Sequence, residues 1–249
     1  MKIRAIKTEK LGVKQISLLK LTDKHIKSLK EGSIVVYTSK IVSLCEGAAI
    51  KIGTVDKNEL VKQEAELYIP SVLKKNSLGL TMKNNILIPG AGIDESNGNG
   101  YYTLWPRNPQ KTANNLRIYL KNKFSLKKVG VIITDSRIVP LRWGTLGVAI
   151  AHSGFTCMKN YIGTPDLFGR ILEVSTSNIA DALATSSVLI MGEGNEQTPL
   201  AIIEELDFVD FVNHNPKKDE LSKLHVGLRD PMYAPFFKNV KWKKGNSRA

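Results

Sequence analysis

Three acidic residues, Asp94, Asp135 and Glu193, stand in loops whose neighbours suit phosphate and metal chemistry. Asp94 lies in Gly90-Ala91-Gly92-Ile93-Asp94-Glu95-Ser96-Asn97, where two glycines let the backbone come close to a ligand. A carboxylate there can bind a hard cation through oxygen, and the Asn97 amide can hydrogen-bond a phosphate or a base. The same residue types also build a tight turn in which aspartate and asparagine satisfy their own backbone. Asp135 follows the β-branched run Val131-Ile132-Ile133, within Thr134-Asp135-Ser136. A carboxylate at the end of a buried strand is held by a rigid element, as in phosphoryl-transfer sites that hold Mg²⁺. The Ser136 hydroxyl can reach a second ion; a strand-end cap is the bland alternative. Glu193 lies in Met191-Gly192-Glu193-Gly194-Asn195-Glu196, whose glycines can free backbone N–H groups for phosphate oxygens. This is neither a Walker A loop nor the dinucleotide fingerprint, and taken alone it reads more readily as a flexible turn. In a fourth segment, Ser39-Lys40-Ile41-Val42-Ser43-Leu44-Cys45-Glu46-Gly47, Ser39 and Lys40 can meet phosphates and Glu46 can balance charge. Otherwise it reads as an edge strand of mixed polarity.

The elements that must position these loops follow from pattern. Ser33 to Tyr37 reads as a buried strand, preceded by a helix over about 23–30 capped by Thr22 or Asp23. Asp56 caps a helix through about Tyr68, stopped by Pro70. Asn84 to Ile88 is a strand feeding the Asp94 loop. Asn108-Pro109 starts a helix: a capping side chain, then proline at the first helical position. Val129 to Thr134 is a strand buried on both faces, and Gly147 to Ala151 the next one. Ile171 to Val174 is a short strand, and Ser177 caps a helix through about Ser187. Leu200 to Ile203 is a further strand. Strands and helices mix without a steady βαβ rhythm, which gives α+β rather than a doubly wound sheet. The tail beyond Asn213 is basic and weakly patterned, with Tyr233, Phe236, Phe237 and Trp242 to pack on something.

Bulk properties narrow the function classes. The 249 residues carry 36 basic and 23 acidic side chains, a net charge of +13. The lysines are scattered, without an Arg-rich stripe or aromatic interleaving, so a solvated surface or an anionic small-molecule substrate outranks nucleic acid. No apolar run approaches a membrane span and no signal peptide is read at the N-terminus, so the expected location is cytoplasmic. Cys45 and Cys157 fit a reducing compartment, with one disulfide between them left open. His25, His152, His214 and His225 lack zinc spacing, and only His152 sits in a site-like loop. Cys45 lacks an evident base and no Gly-x-Ser-x-Gly elbow occurs, which ranks hydrolases low.

Taken in order, the four loops resemble the coenzyme F420-0:γ-glutamyl ligase family. The shared pattern is Ser-Lys-Ile-Val-Ser-x-x-Glu-Gly, Ala-Gly-Ile-Asp-x-Ser-Asn, Val-Ile-Ile-Thr-Asp-Ser and Met-Gly-Glu-Gly. It extends through Trp105-Pro106…Pro109, Val148-Ala149-Ile150 and Asp166-Leu167-Phe168-Gly169-Arg170, covering roughly Ile34 to Ile203. The resemblance implies a two-domain α+β fold with mixed and antiparallel sheets, in which residues 1–213 form the ligase-like domain, with two intertwined subdomains as an option. Residues 214–249 would be a basic extension of the same fold. It also implies a homodimer and a ligase that uses GTP, or ATP, and two Mg²⁺ or Mn²⁺ ions to add L-glutamate to a carboxylate acceptor, F420-0 or a folate. Asp94, Asp135 and Glu193 would be catalytic; Asp94 and Asp135 would bind one ion, and Ser136 and Glu193 the other. Ser39, Lys40, Asn97 and the stretch Leu189, Ile190, Met191, Gly192, Glu193, Gly194, Asn195 and Glu196 would contact the nucleotide.

Two positions depart from the family pattern. Leu44 stands where relatives carry a lysine, and Lys40, four residues earlier, is expected to supply the charge from the same face of an extended strand. After Thr134-Asp135-Ser136 the family's Gly-Arg element is absent; Val139 stands at the arginine position, and Arg137 or Arg142 takes over substrate contact. These departures make a catalytically altered nucleotide-binding protein of the same fold the alternative reading.

Overall fold

A computed structural model of the chain describes residues 1–70 and 79–247. Its first part comprises β1 (Lys2–Ile6), α1 (Leu18–His25), β2 (Ser33–Thr38), α2 (Ser39–Glu46), β3 (Ala49–Lys51), α3 (Lys57–Glu64) and β4 (Leu67–Tyr68). Then come β5 (Leu80–Lys83), β6 (Ile86–Pro89), β7 (Tyr101–Thr103), α4 (Pro109–Lys123), β8 (Val129–Ile138), β9 (Thr145–Ser153) and β10 (Met158–Asn160). The last are β11 (Thr176–Asn178), α5 (Ile179–Met191), β12 (Leu200–Glu204), α6 (Lys218–Ser222), α7 (Ala234–Phe237) and β13 (Lys243–Lys244). This is an α+β fold.

The centre is a five-stranded sheet in the order β1-β12-β2-β8-β9. Only β2 and β8 run parallel; the other neighbours are antiparallel. Side chains alternate along each strand, so two opposite faces are apolar. Val35, Tyr37, Val131, Ile133 and Ile202 face α1, α2 and α4 through Leu21, Val42 and Leu116. Ile34, Val36, Ile132, Ala149 and Ile203 pack against α5 through Ala180, Leu183 and Ala184. Gly147 lets α5 pack close on β9: a Cβ there would lie 2.5 Å from the Ala184 carbonyl oxygen. A second sheet, β13-β4-β5-β6, and the pair β3–β7 flank the Asp94 loop.

Several boundaries differ from those read in the sequence. Ser17, not Thr22 or Asp23, caps α1; Thr22 instead hydrogen-bonds Leu18 O and the buried Tyr37 hydroxyl, and Asp23 accepts from Tyr119. Asp56 does cap α3, but the helix stops at Glu64 because Leu67–Tyr68 pairs with β5. Asn84 and Asn85 form the left-handed turn before β6 rather than its start. Ser39–Glu46 is a helix capped by Thr38, not a strand. Ile171 makes one bridge to Pro165 instead of a strand, and the extended segment is β11. Asn178 caps α5, which continues to Met191. Both cysteines are free thiols. No helix among the described residues is long and apolar enough to cross a membrane.

Candidate active site

Parallel pairing of β2 with β8 sets Thr38 beside Thr134, so Ser39 and Asp135 emerge side by side although 96 residues apart. One residue of β9, Ile150, is bulged out where Ile133 pairs with Ala151 and Thr134 with Ala149. Bulges bend a strand and re-aim its side chains, and this one falls immediately before Asp135. The Ser39 hydroxyl donates to Asp135 Oδ1 at 3.0 Å and the Trp105 indole N–H to Oδ2 at 2.5 Å. Burial pushes the Asp135 carboxyl up to about 6, against the pull of the Trp105, Ser39 and Ser136 donors; the charge of Asp94 adds to the rise. Trp105 reaches Asp135 only because residue 92 is glycine: a Cβ there would lie 2.2 Å from the indole nitrogen, and φ is +72°.

Asp94 is fixed through its backbone, which exchanges hydrogen bonds with Thr103. Its Oδ1 accepts from the Ser96 N–H at 2.7 Å, and its Oδ2 meets Lys40 Nζ at 2.6 Å. Burial raises this carboxyl, but Lys40 and Ser96 outweigh it and leave the group below the usual aspartate range. Lys40 also donates to Ser96 O and Oγ. Positions 40 and 44 share a helix face, one turn apart, and both line the same pocket. The geometry Lys40 needs to replace charge at Leu44 therefore exists, although on a helix rather than on the strand expected.

Glu193 follows the C-terminus of α5. Its Oε1 accepts from Ser136 Oγ at 2.7 Å and from Thr145 Oγ1 at 3.2 Å. The loop is tied down: Gly194 N–H donates to Glu196 Oε2, the Thr198 hydroxyl donates to Met191 O, and Asn97 Nδ2 reaches Gly194 O at 2.9 Å. The loops of Asp94, Asp135 and Glu193 are thus linked by Ser39, Lys40, Asn97 and Ser136.

These residues line one pocket of about 1140 Å³, together with Met191, Gly192, Gly194, Asn195 and Glu196. Leu189 and Ile190 do not line it; they lie exposed on the last turn of α5. The structure adds Trp105 and Thr145 as partners of the acids. Trp105 stood in a noted Trp-Pro pair, but nothing in that dipeptide says its indole meets a carboxylate. The side-chain oxygens of Asp94, Asp135, Ser136 and Glu193 are all hard donors, the set that Mg²⁺ or Mn²⁺ takes. Among the described residues no three of the His, Cys, Asp and Glu side chains converge on one point, so the acids are spread rather than clustered. Burial, with Glu46 beside it, pushes the Cys45 thiol up to about 11, which disfavours the thiolate. His152 is buried outside this pocket, against Phe155.

The α+β fold and this pocket of carboxylates, a lysine and a glycine-flanked loop define a candidate active site. The model of the F420-0:γ-glutamyl ligase family matches residues 2–205, and the chain belongs to that family. The coenzyme F420:L-glutamate ligase of Methanocaldococcus jannaschii is 30% identical over 212 residues, covering 77% of this chain and 82% of that protein. The enzyme of the same name from Methanosarcina barkeri is 30% identical over 250 residues, 90% of this chain and 97% of that protein. That of Methanococcus maripaludis strain C6 is 33% identical over 207 residues.

Proposed function

We propose that this chain joins L-glutamate to the carboxylate of a cofactor-type acceptor, F420-0 or a folate, at the expense of GTP or ATP. The observation that carries this reading is the convergence of Ser39, Lys40, Asp94, Asn97, Asp135, Ser136 and the 191–196 loop on one pocket. A carboxylate is a poor acyl donor because its oxygen leaves badly. Its oxygen attacks the γ-phosphorus, the bond to the β-phosphate oxygen breaks, and the nucleoside diphosphate departs. The glutamate amine then attacks the acyl phosphate, phosphate leaves, and the amine gives up a proton. Asp94 with Asp135, and Ser136 with Glu193, would hold two divalent ions, Mg²⁺ or Mn²⁺, which neutralise charge on the phosphoryl group. The N-terminal end of α2 offers positive charge to phosphate, and Lys40, paired with Asp94 in this structure, would join it once a divalent ion takes that carboxylate. The glycine-flanked 191–196 loop and Asn97 would contact the nucleotide.

Exposed Leu141, Trp143, Leu167 and Phe168 support the homodimer expected from the resemblance. We treat residues 1–213 as the ligase-like domain and 214–249 as its extension; β13 pairs with β4, in keeping with this division. Purified protein given GTP or ATP, Mg²⁺ or Mn²⁺, L-glutamate and either acceptor should release nucleoside diphosphate and a product heavier by one or more glutamyl residues. Asp135→Asn should abolish turnover while keeping the fold. Absence of a glutamylated product with every acceptor would favour a nucleotide-binding protein that has lost ligation.

A further inference from the structure

A second cavity of about 890 Å³ shares Arg137 with the pocket of the three acids. Trp105 forms part of its wall while donating to Asp135 in the first pocket. We propose that this second cavity binds the ring-bearing acceptor and that Arg137 anchors the acceptor carboxylate beside Asp135. The inference rests on the ligase reading above.

Arg137 stands two residues beyond Asp135 on β8, so both project from the same face of the strand. Its Nε is buried and finds no partner among the described residues. A buried donor left unpaired is costly, which points to a ligand that completes it. Among the described residues its one ion pair, to Asp181, is long at 3.5 Å. Asp181 is already engaged: its Oδ1 accepts from the Ala149 N–H and its Oδ2 from Asn178 Nδ2, each at 2.9 Å. The guanidinium fork therefore keeps donors for a carboxylate, the group it matches in two-point geometry. Arg142, the other candidate for substrate contact, is exposed and lines neither cavity.

The size and lining of the cavity select the acceptor over free glutamate. About 890 Å³ lies within the range of pockets that enclose drug-sized ligands and far exceeds one amino acid. Asn84 and the side-chain oxygens of Asn85 and Gln110, whose amide nitrogens are engaged by Val226 O and His152 O, offer polar contacts to a heterocycle, and Ile50, Leu104, Pro106 and Ile150 offer apolar ones. Lys83 is neutralised by Glu64 at 2.6 Å, and of the two arginines on the lining Arg107 is exposed, whereas Arg137 also lines the pocket of the three acids.

Isothermal titration of the full chain with GTP, F420-0, folate and L-glutamate, each separately, tests the assignment. Wild type is compared with Arg137→Gln, Arg137→Lys and the cavity-filling Ala49→Trp. GTP affinity should stay within about twofold in all variants, which also checks folding. Acceptor affinity should fall at least about tenfold in Arg137→Gln and Ala49→Trp, with partial recovery in Arg137→Lys. An acceptor analogue with an amide in place of the carboxylate should bind wild type and Arg137→Gln alike. Acceptor binding unchanged in Arg137→Gln, or an equal loss for GTP, overturns the anchoring role. Undiminished acceptor binding in Ala49→Trp, or glutamate as the ligand displaced, overturns the cavity assignment. If wild type glutamylates an acceptor that the variants bind normally, the ligase reading stands and this inference falls. If wild type neither binds nor glutamylates either acceptor, both fall.

Discussion

Replacing Gly92 with alanine sets a methyl group 2.2 Å from Trp105 Nε1 and 2.7 Å from Cε2. Contacts below 3.0 Å are essentially never seen for a real Cβ, so the indole must retreat by about 1 Å. That retreat takes its N–H from Asp135 Oδ2. Loss of a donor to a buried charged group costs about 1.5–3 kcal/mol. Holding a non-glycine residue at φ +72° adds roughly 1–2 kcal/mol. The expected destabilisation is about 2.5–5 kcal/mol, a large share of the stability of an ordinary domain. Urea denaturation of wild type, Gly92→Ala, Trp105→Ala and the double variant measures it. In the Trp105→Ala background the Gly92→Ala substitution should cost only the backbone part, about 1–2 kcal/mol. Equal costs in both backgrounds, or a Gly92→Ala protein within about 0.5 kcal/mol of wild type, would refute the claim that residue 92 sets the indole on Asp135.

Burial holds the His152 imidazole down to about 4 from its ordinary 6.5, so it is neutral in the folded protein at pH 7. The unfolded chain takes up this proton first as pH falls. The corresponding stability is complete above about pH 6.5 and lost by about pH 4, amounting to about 3 kcal/mol. Denaturation midpoints of wild type and His152→Leu should therefore converge or cross as pH drops from 6.5 to 4, and parallel curves would contradict it. Lys40→Ala should weaken nucleotide binding about tenfold or more through loss of a charge-assisted contact, as read by equilibrium dialysis; unchanged affinity ends the idea that Lys40 replaces the lysine missing at Leu44. Gly147→Ala should push α5 off β9, because its Cβ would lie 2.5 Å from backbone, and should cost upwards of about 2 kcal/mol in thermal unfolding.

The central strands were legible because β-branched runs such as Val129 to Thr134 leave little choice once buried on both faces. Asn108-Pro109 marked α4 because capping and proline chemistry are local. Ser39–Glu46 misled because its apolar residues suit either period, and the Thr38 side chain that caps the helix stands just outside that segment. Asp23 was a sound local cap candidate, overruled by Tyr119 and Lys123 from α4, 96 and 100 residues away. In the site, the acids could be named from their loops. Lys40 could be named too, but not its pairing with Asp94, nor Trp105 and Thr145 as partners of the acids, because strand register and one glycine turn determine who meets whom.

Asp135 has a further consequence for how this chain changes over time. Its carboxyl is held about two pH units above the ordinary aspartate value by burial, so ionisation at neutral pH works against folding by about 3 kcal/mol. Asparagine at this position would keep much of the shape and shed that burden. Selection for durability alone would therefore favour the neutral side chain. As the chain stands, this one buried carboxyl makes the protein harder to fold at neutral pH than its neutral amide would.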